Sequence, residues 1–129
     1  MKENRQKRLS FKEEKEKMQH IADDYKKSLV VSSENYISFV RELRVNEDSK
    51  NYGMAHNCIS DEKINYYTKL KFVVESVLDL LSKESERILR AEFFEKMENS
   101  NWWQKFYSRT TFYRNKRKAM NEFFNFFYS

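Results

Sequence analysis

The 129-residue chain contains no proline and only one glycine. Average proteins contain about 5% proline and 7% glycine, and folds rich in β-hairpins need these residues in their turns. Their near-absence argues against a β-sandwich or a β-barrel. The remaining turn-forming and helix-capping side chains are serine and asparagine, which favours an all-α protein whose helices are capped by these residues.

Cysteine and long apolar runs are also scarce. Cys58 is the single cysteine, which excludes a disulfide within the chain and fits a reducing compartment. No apolar run approaches the roughly 20 residues of a membrane span, and the first residues are charged rather than apolar. From these absences we expect a cytoplasmic protein with no membrane partner.

Sites for metals, cofactors and catalysis find little support in the sequence. His56 and Cys58 are close together, but a zinc site needs about four ligands, and the only other histidine is His20. A single glycine cannot form a glycine-rich phosphate loop. Paired acids such as Asp23 and Asp24 stand next to lysines, as on a solvated helix surface. We therefore expect no metal, no cofactor and no enzymatic activity, with Cys58 as a buried or merely free thiol.

The length of the chain corresponds to one domain, with a core supplied by 11 Phe, 8 Tyr and 2 Trp. Helical spacing of apolar residues after polar capping residues predicts helical segments that start near Ser10, Ser33, Ser60, Ser82, Asn101 and Ser108. We expect residues 10–98 to form a helical bundle and residues 99–129 a helix-turn-helix-like segment. Residues 45–60 are predicted to be the longest loop. Residues 1–9 fit a basic arm and a disordered segment equally well.

Apolar stripes indicate which faces of the helices are buried. In the first helix the stripe runs from Met18 to Leu29. In the third helix Val73 and Leu80 widen the apolar arc, which predicts a central position for this helix in the bundle. The fourth helix is predicted to extend to about residue 98.

Positive charge is concentrated near the end of the chain. After residue 100 there are six basic residues and one acidic residue. All six basic residues lie in the segment from Lys105 to Lys118, called the basic block below, and this segment contains no acidic residue. The excess of the residues after 100 equals the formal net charge of +5 for the whole chain. A protein that concentrates its net charge in one helix is expected to bind an anion with it.

A helix that starts after Ser108 has two different faces. One side collects the apolar side chains Phe112, Ala119, Met120, Phe123, Phe126 and Phe127, with Tyr113 and Phe124 at its margin. The other side collects Thr110, Arg114, Arg117, Lys118, Asn121 and Asn125. Arginine can contact guanine or phosphate, asparagine can pair with adenine, and a helix N-terminus can hold a phosphate. This face is compatible with DNA binding, and a merely solvated surface is the alternative.

The order of a helix, a short apolar helix, a turn and a basic helix is typical of a helix-turn-helix. Residues 80–89 (LLSKESERIL), the aromatic segment after them, and residues 108–119 (SRTTFYRNKRKA) resemble region 4 of sigma factors. They resemble still more the sigma-related helix-turn-helix of phage ArpU-type transcriptional regulators. The whole chain also resembles small all-helical proteins of mycoplasmas, a similarity that implies a class and no activity.

The sigma-like resemblance implies double-stranded DNA as the partner and a role in transcription regulation. It implies that Phe112 and Ala119 pack inward. The resemblance and the polar face of the helix together predict a DNA-binding set. This set consists of Ser108, Arg109, Thr110, Thr111, Arg114, Arg117 and Lys118.

Two aromatic residues depart from the family pattern. Trp102 stands where the family has a small residue, and Phe106 stands where it has glycine at the turn. Such bulky residues are expected to push the two helices apart or to change their crossing. Trp102 and Trp103 fit a core cluster, and they also fit a platform on which bases stack. The aromatic tail, residues 123–128, suggests the alternative function, a protein-interaction module or homodimer that binds no DNA.

Overall fold

A computed structural model describes residues 8–45, 60–95 and 97–129 of the chain. These residues form five α-helices, α1 (Phe11–Val31), α2 (Glu34–Val45), α3 (Asp61–Leu80), α4 (Lys83–Leu89) and α5 (Arg109–Phe127), and within the described ranges there is no strand. A π-helical turn (Arg90–Phe94) extends α4, and a 3₁₀ helix (Trp102–Lys105) precedes α5. The predicted all-α class is confirmed. Most of the predicted 45–60 loop, including His56 and Cys58, lies outside the described residues.

Serine caps begin all five of these α-helices, as the sequence predicts. In each case the serine hydroxyl accepts a hydrogen bond from the backbone N–H three residues later, which satisfies one of the otherwise unpaired donors of the first turn. The five caps are Ser10, Ser33, Ser60, Ser82 and Ser108. Glycine and proline are therefore not needed to start these helices.

The fourth helix ends earlier than predicted. Its α-helical hydrogen bonding stops at Leu89, and the N–H of Glu95 donates to the carbonyl of Arg90 at 2.6 Å to close a π-helical turn. Ile88 and Leu89 are buried, and so are Phe93 and Phe94, five residues further on. In a π-helical turn the hydrogen bond spans five residues, so the pair Ile88 and Leu89 and the pair Phe93 and Phe94 can both face the core. In a regular α-helix the same face recurs every three to four residues.

The chain divides into two compact units. The terminal unit consists of residues 1–22 and 77–129, and the middle unit of residues 23–76. In the middle unit the hydroxyl of Tyr25 donates to Oε2 of Glu75 at 2.8 Å, which joins α1 to α3. The terminal unit contains α4, the 3₁₀ helix and α5, so the helix-turn-helix-like segment shares a unit with the start of α1.

Two predicted stripes need correction. Leu29 is 42% exposed, while Ser28 is buried and donates its hydroxyl hydrogen bond to the backbone carbonyl of Tyr25. In α3, Val73 is 40% and Leu80 is 62% exposed, so the apolar arc is not widened there. A serine that satisfies its hydroxyl on its own helix can be buried in place of a leucine. The stripe prediction counted only apolar residues and missed this possibility.

The single acid of α5 joins this helix to the start of α4. Glu122 accepts hydrogen bonds from the backbone N–H of Ser82 at 3.0 Å and from the hydroxyl of Ser85 at 3.3 Å. A carboxylate at a helix N-terminus also interacts favourably with the helix dipole. Phe94 and Phe123 pack nearby with ring centroids 6.3 Å apart. These contacts fix α5 against α4.

Candidate nucleic-acid interface

The start of α5 is organised by Ser108. Its backbone is extended, its hydroxyl accepts from the N–H of Thr111 at 3.2 Å, and the same hydroxyl donates to Oγ1 of Thr111 at 2.9 Å. Thr111 is thereby held against the cap and is only partly exposed. Ser108, Arg109 and Thr110 are exposed. The first turn of α5 thus presents two hydroxyls and one guanidinium to solvent.

An aromatic stack under this first turn sets the direction of α5. The rings of Trp103 and Phe112 lie parallel, with centroids 4.5 Å apart and an interplanar angle of 6°. Phe112 is fully buried, and Ile88 of α4 completes this cluster. Stacked aromatic pairs contribute about 0.5–1.5 kcal/mol beyond the area that they bury. The inward orientation expected for Phe112 and Ala119 is confirmed, because both are fully buried.

An exposed stripe follows the outer side of α5. Thr110, Arg114 and Lys118 are spaced four residues apart, so they lie one above another on the same face, and all three are exposed. Neither Arg114 nor Lys118 has an acidic partner among the residues that the structure describes. This stripe, together with Ser108 and Arg109, is called the outer stripe below. Its three cations, Arg109, Arg114 and Lys118, have no acidic partner in the described part of the chain.

Arg117, by contrast, points toward the start of the chain. Its Nε lies 2.8 Å from Oε1 of Glu14, and its Nη2 donates to the backbone carbonyl of Leu9 at 3.0 Å. Nε and Oε1 are not aligned as a hydrogen bond, so their contact is an ion pair. The exposed fractions of the two side chains are 35% for Arg117 and 3% for Glu14. The guanidinium that the resemblance placed toward DNA is therefore engaged inside the terminal unit.

Lys116 is the second cation of the basic block that lies inside the fold. Its Nζ lies 2.7 Å from Oε1 of Glu92, and the two side chains are only 10% and 14% exposed. The ammonium also lies 5.2 Å from the ring centroid of Phe93. The carboxylate compensates the charge of the buried ammonium, and the aromatic ring adds a favourable interaction. Of the six basic residues in this block, two are thus used in ion pairs and four are exposed.

Trp102 contacts Phe112 in a different way from Trp103, which stacks on the face of that ring. Its ring meets Phe112 edge-on, with centroids 5.9 Å apart, and its indole N–H donates to Oε2 of Glu92 at 2.8 Å. Glu92 therefore joins Trp102 to Lys116 through its two oxygens. Both tryptophans belong to the core cluster or pack against it, as the first of the two interpretations expects.

Phe106, at the turn, is 60% exposed. The guanidinium of Arg87 lies 4.9 Å from its ring centroid. Arg87 also donates to the hydroxyl of Tyr107 at 3.0 Å, and that hydroxyl donates to Glu84 at 2.9 Å. These side-chain contacts tie the turn to α4.

A hollow of about 440 Å³ lies next to the start of α5. Asn101, Gln104 and Arg109 are exposed at its rim, and the ring of Tyr113 lies 6.0 Å from the guanidinium of Arg109. Amide and guanidinium groups are the side chains that contact base edges and phosphates most often. Asn101 and Gln104 precede the basic block and were not among the predicted DNA contacts.

Burial of Lys116 and Glu14 was also missed, although the sequence contains a signal for each. Lys116 lies between Phe112 and Ala119 on the apolar face of α5, and Glu14 lies one turn before Met18 on the apolar face of α1. A charged residue within an apolar stripe is a candidate for a buried ion pair. The sequence does not identify the partner, since Glu14 and Arg117 are far apart along the chain.

The aromatic tail is only partly buried. Phe123 is fully buried, but Phe126, which the helical wheel placed on the core side, is 42% exposed. Lys17 lies over the ring of Tyr128 at 4.3 Å and over Phe124 at 5.4 Å. Part of the tail is therefore covered by α1, and Phe126 lies outside that contact.

Over residues 8–45, 60–95 and 97–129, no helix is long and apolar enough to cross a bilayer. In that part of the chain no group of three or more His, Cys, Asp or Glu side chains could hold a metal ion. Comparison of the chain with family models, curated proteins and solved structures found no match.

Proposed function

We propose that this chain is a non-enzymatic, cytoplasmic DNA-binding protein, a sigma-like transcriptional regulator that places α5 in the major groove of duplex DNA. The observation that carries the proposal is the outer stripe. It combines a serine-capped helix N-terminus with Arg114 and Lys118, two exposed cations that have no acidic partner among the described residues. Phosphate contacts by such cations release counterions and supply the sequence-independent part of DNA affinity.

The internal contacts of the basic block refine the proposed set. Ser108, Arg109, Thr110, Arg114 and Lys118 are exposed and remain the proposed DNA contacts, with Thr111 beside them at the cap. Arg117 is assigned a positioning role, because its guanidinium already binds Glu14 and Leu9. The hollow beside Arg109 adds Asn101 and Gln104 as candidates for contacts to base edges or phosphates.

The proposal is tested by measuring duplex binding by fluorescence anisotropy across a salt series. The slope of log affinity against log salt is negative, and each lost phosphate contact makes it less steep by about 0.9. Arg114→Ala/Lys118→Ala is therefore expected to make the slope less steep by about 1.8. Lys63→Ala/Lys69→Ala, which removes two exposed charges from α3, is the matched control and is expected to keep the wild-type slope. A wild-type protein that does not bind duplex DNA at low salt contradicts the proposal.

The exposure of the aromatic tail favours a second candidate function, a homodimer or protein-interaction module. Phe126 is 42% and Tyr128 is 55% exposed. Burying large aromatic rings in a subunit interface is favourable, and aromatic residues are enriched in interfaces. Light scattering on a sizing column tests this candidate. A dimer that dissociates in Phe126→Ser/Tyr128→Ser and persists in the control Phe72→Ser supports it, whereas a wild-type monomer at high concentration excludes the homodimer.

A further inference from the structure

A hollow of about 500 Å³ is lined by residues of α4, of its π-helical turn and of the 3₁₀ segment before α5. It shares no lining residue with the hollow beside Arg109, and all of its lining residues belong to the terminal unit. Sites for small molecules have volumes of about 300–1,000 Å³. This space, called the α4 hollow below, is therefore large enough for a small organic molecule.

Apolar side chains form part of the surface of the α4 hollow. They are Ala91, Met97, Trp102 and Phe106. Phe106 is 60% and Met97 is 41% exposed, so both present apolar surface to solvent inside a concave space. An apolar ligand that covers such surfaces removes them from water, which is favourable.

Two exposed cations, Lys83 and Arg87, line the same space and have no acidic partner among the described residues. The guanidinium of Arg87 lies 4.9 Å from the ring centroid of Phe106, and its Nη2 donates to the hydroxyl of Tyr107 at 3.0 Å. A guanidinium has five N–H donors and binds a carboxylate through two parallel hydrogen bonds. Arg87 is thus held beside an exposed ring with donors left for an anion.

The acids that line the α4 hollow do not neutralise these two cations. Oε2 of Glu86 lies 2.9 Å from Nε of Arg90, so these two lining residues compensate each other. Glu95 is the remaining acid of the lining and is exposed. Cations therefore outnumber acids around the apolar surface, and the charge of the lining favours an anion.

We propose that the α4 hollow binds a small aromatic anion. Its ring contacts Trp102 and Phe106, its acid group binds the guanidinium of Arg87, and Lys83 adds positive charge. A flat ring suits this space because aromatic rings and guanidinium groups both stack on flat partners. The proposal is independent of DNA binding by α5, since it uses none of the residues of the outer stripe.

The probe for the test is naphthoate, a fused aromatic ring with one carboxylate, titrated into the full-length chain and followed by NMR. The indole N–H signal of Trp102 is expected to move until the site is saturated, because Trp102 lines the α4 hollow. The signal of Trp103, which lines the hollow beside Arg109, is expected to move less. Naphthalenemethanol has the same ring without the charge, and we expect it to bind roughly tenfold more weakly, because charge-assisted hydrogen bonds are the stronger ones.

Two variants remove the proposed contacts one at a time. Arg87→Gln and Phe106→Ser are each expected to weaken naphthoate binding roughly tenfold. Arg41→Gln and Phe72→Ser replace an exposed arginine of α2 and an exposed phenylalanine of α3, and as matched controls they are expected to keep the wild-type affinity. Circular dichroism checks that the helices are kept. If Arg87→Gln does not fold, Lys83→Gln at an exposed position replaces it in the test.

A third variant is expected to strengthen binding. Glu95→Gln removes the lining acid that repels an anion, so naphthoate should bind more tightly than to the wild-type chain. Glu62→Gln removes an exposed acid from the first turn of α3 and is the control for net charge. Damage to the fold weakens binding, so a gain confined to Glu95→Gln is not explained by it.

The proposal is overturned if naphthoate causes no saturable shift of the Trp102 signal. Equal affinity for naphthalenemethanol refutes the anion site, and so does unchanged affinity in the folded cation variant. Equal losses in the variants and in their Arg41 and Phe72 controls also refute the assignment to this hollow. Losses confined to the Arg87 and Phe106 variants, together with a gain in Glu95→Gln, support it.

Discussion

Nε of Arg117 lies 2.8 Å from Oε1 of Glu14, a carboxylate whose side chain is only 3% exposed. The pair connects the proposed DNA-binding helix to the start of α1, and Arg117 adds a hydrogen bond to the carbonyl of Leu9. Two charges removed from water stabilise a fold only when they neutralise each other. This contact therefore explains why Arg117 is a structural residue, although it lies in a basic block that the sequence predicts to be exposed.

Breaking this pair is expected to destabilise the protein. Arg117→Met leaves Glu14 buried without a counter-charge, and we expect a loss of about 2 kcal/mol in the free energy of unfolding, below the usual range for buried pairs because Arg117 is partly exposed. Glu14→Leu/Arg117→Met is expected to recover most of the loss. Urea unfolding measures both. Equal stabilities of the single and the double variant would show that the pair has no such role.

Lys116 and Lys118 are neighbours in sequence and are expected to behave in opposite ways. Lys116→Met leaves Glu92 without its ion-pair partner and should cost about 3 kcal/mol of stability. Lys118→Met changes an exposed side chain, so its effect on stability is expected within about 0.5 kcal/mol. For the proposed DNA binding we expect the opposite order. Lys118→Met is expected to make the slope of log affinity against log salt less steep by about 0.9, whereas Lys116→Met, if folded, is expected to keep the wild-type slope. The prediction fails if both lysines affect the slope equally.

Ser108 is expected to combine a capping role with a position at the DNA interface. Ser108→Ala removes the cap and should destabilise the protein by about 1 kcal/mol. Ser108→Asp keeps a good cap, since aspartate also accepts from the first-turn N–H groups, but it brings a negative charge to the DNA. Thermal unfolding and anisotropy titrations distinguish the two effects. Ser60→Asp at the cap of α3 is the control, and weakened DNA binding there would contradict the assignment.

The start of α1 is expected to be sensitive to acid. Because hydrogen bonds from Ser10 lower the pKa of Glu13 from its ordinary value of 4.5, the folded state favours the ionised carboxylate. The stability that this provides is present above pH 4.5 and is lost as pH falls through the lower pKa of the folded state. A carboxyl titration followed by NMR measures the shift. Ser10→Ala removes the hydroxyl but keeps the backbone N–H that donates to Oε1 of Glu13, so the pKa of Glu13 is expected to move only part of the way back to 4.5. An unchanged pKa in that variant would show that the hydroxyl of Ser10 does not contribute to the shift.

Much of the local structure could be predicted from the sequence. Ser10, Ser82 and Ser108 were expected to begin helices and do so, because a cap depends on the residues within one turn. Phe112 and Ala119 were expected inside and are fully buried. The end of α4 was predicted poorly, because the π-helical turn depends on the packing of Phe93 and Phe94 and not on a local sequence motif.

The proposed interface was predictable only in part. The exposure of Arg114 and Lys118 follows from their position on the helical wheel, and the structure agrees with it. Arg117 was placed on the same side, yet its long side chain reaches α1. A helical wheel gives the direction of Cβ and does not include the neighbouring segment that a side chain of this length can contact.

Sequence patterns alone were sufficient to establish an all-α chain, the serine caps and the concentration of positive charge before residue 119, because each depends on composition or on residues within about four positions. The use of each charge depended on the three-dimensional packing. Lys116 and Arg117 stand side by side in a run of cations, and only the approach of Glu92 and Glu14 makes them ion-pair partners instead of exposed charges. The physical reason is that a buried charge needs a counter-charge, and the segments that bring it are distant in sequence.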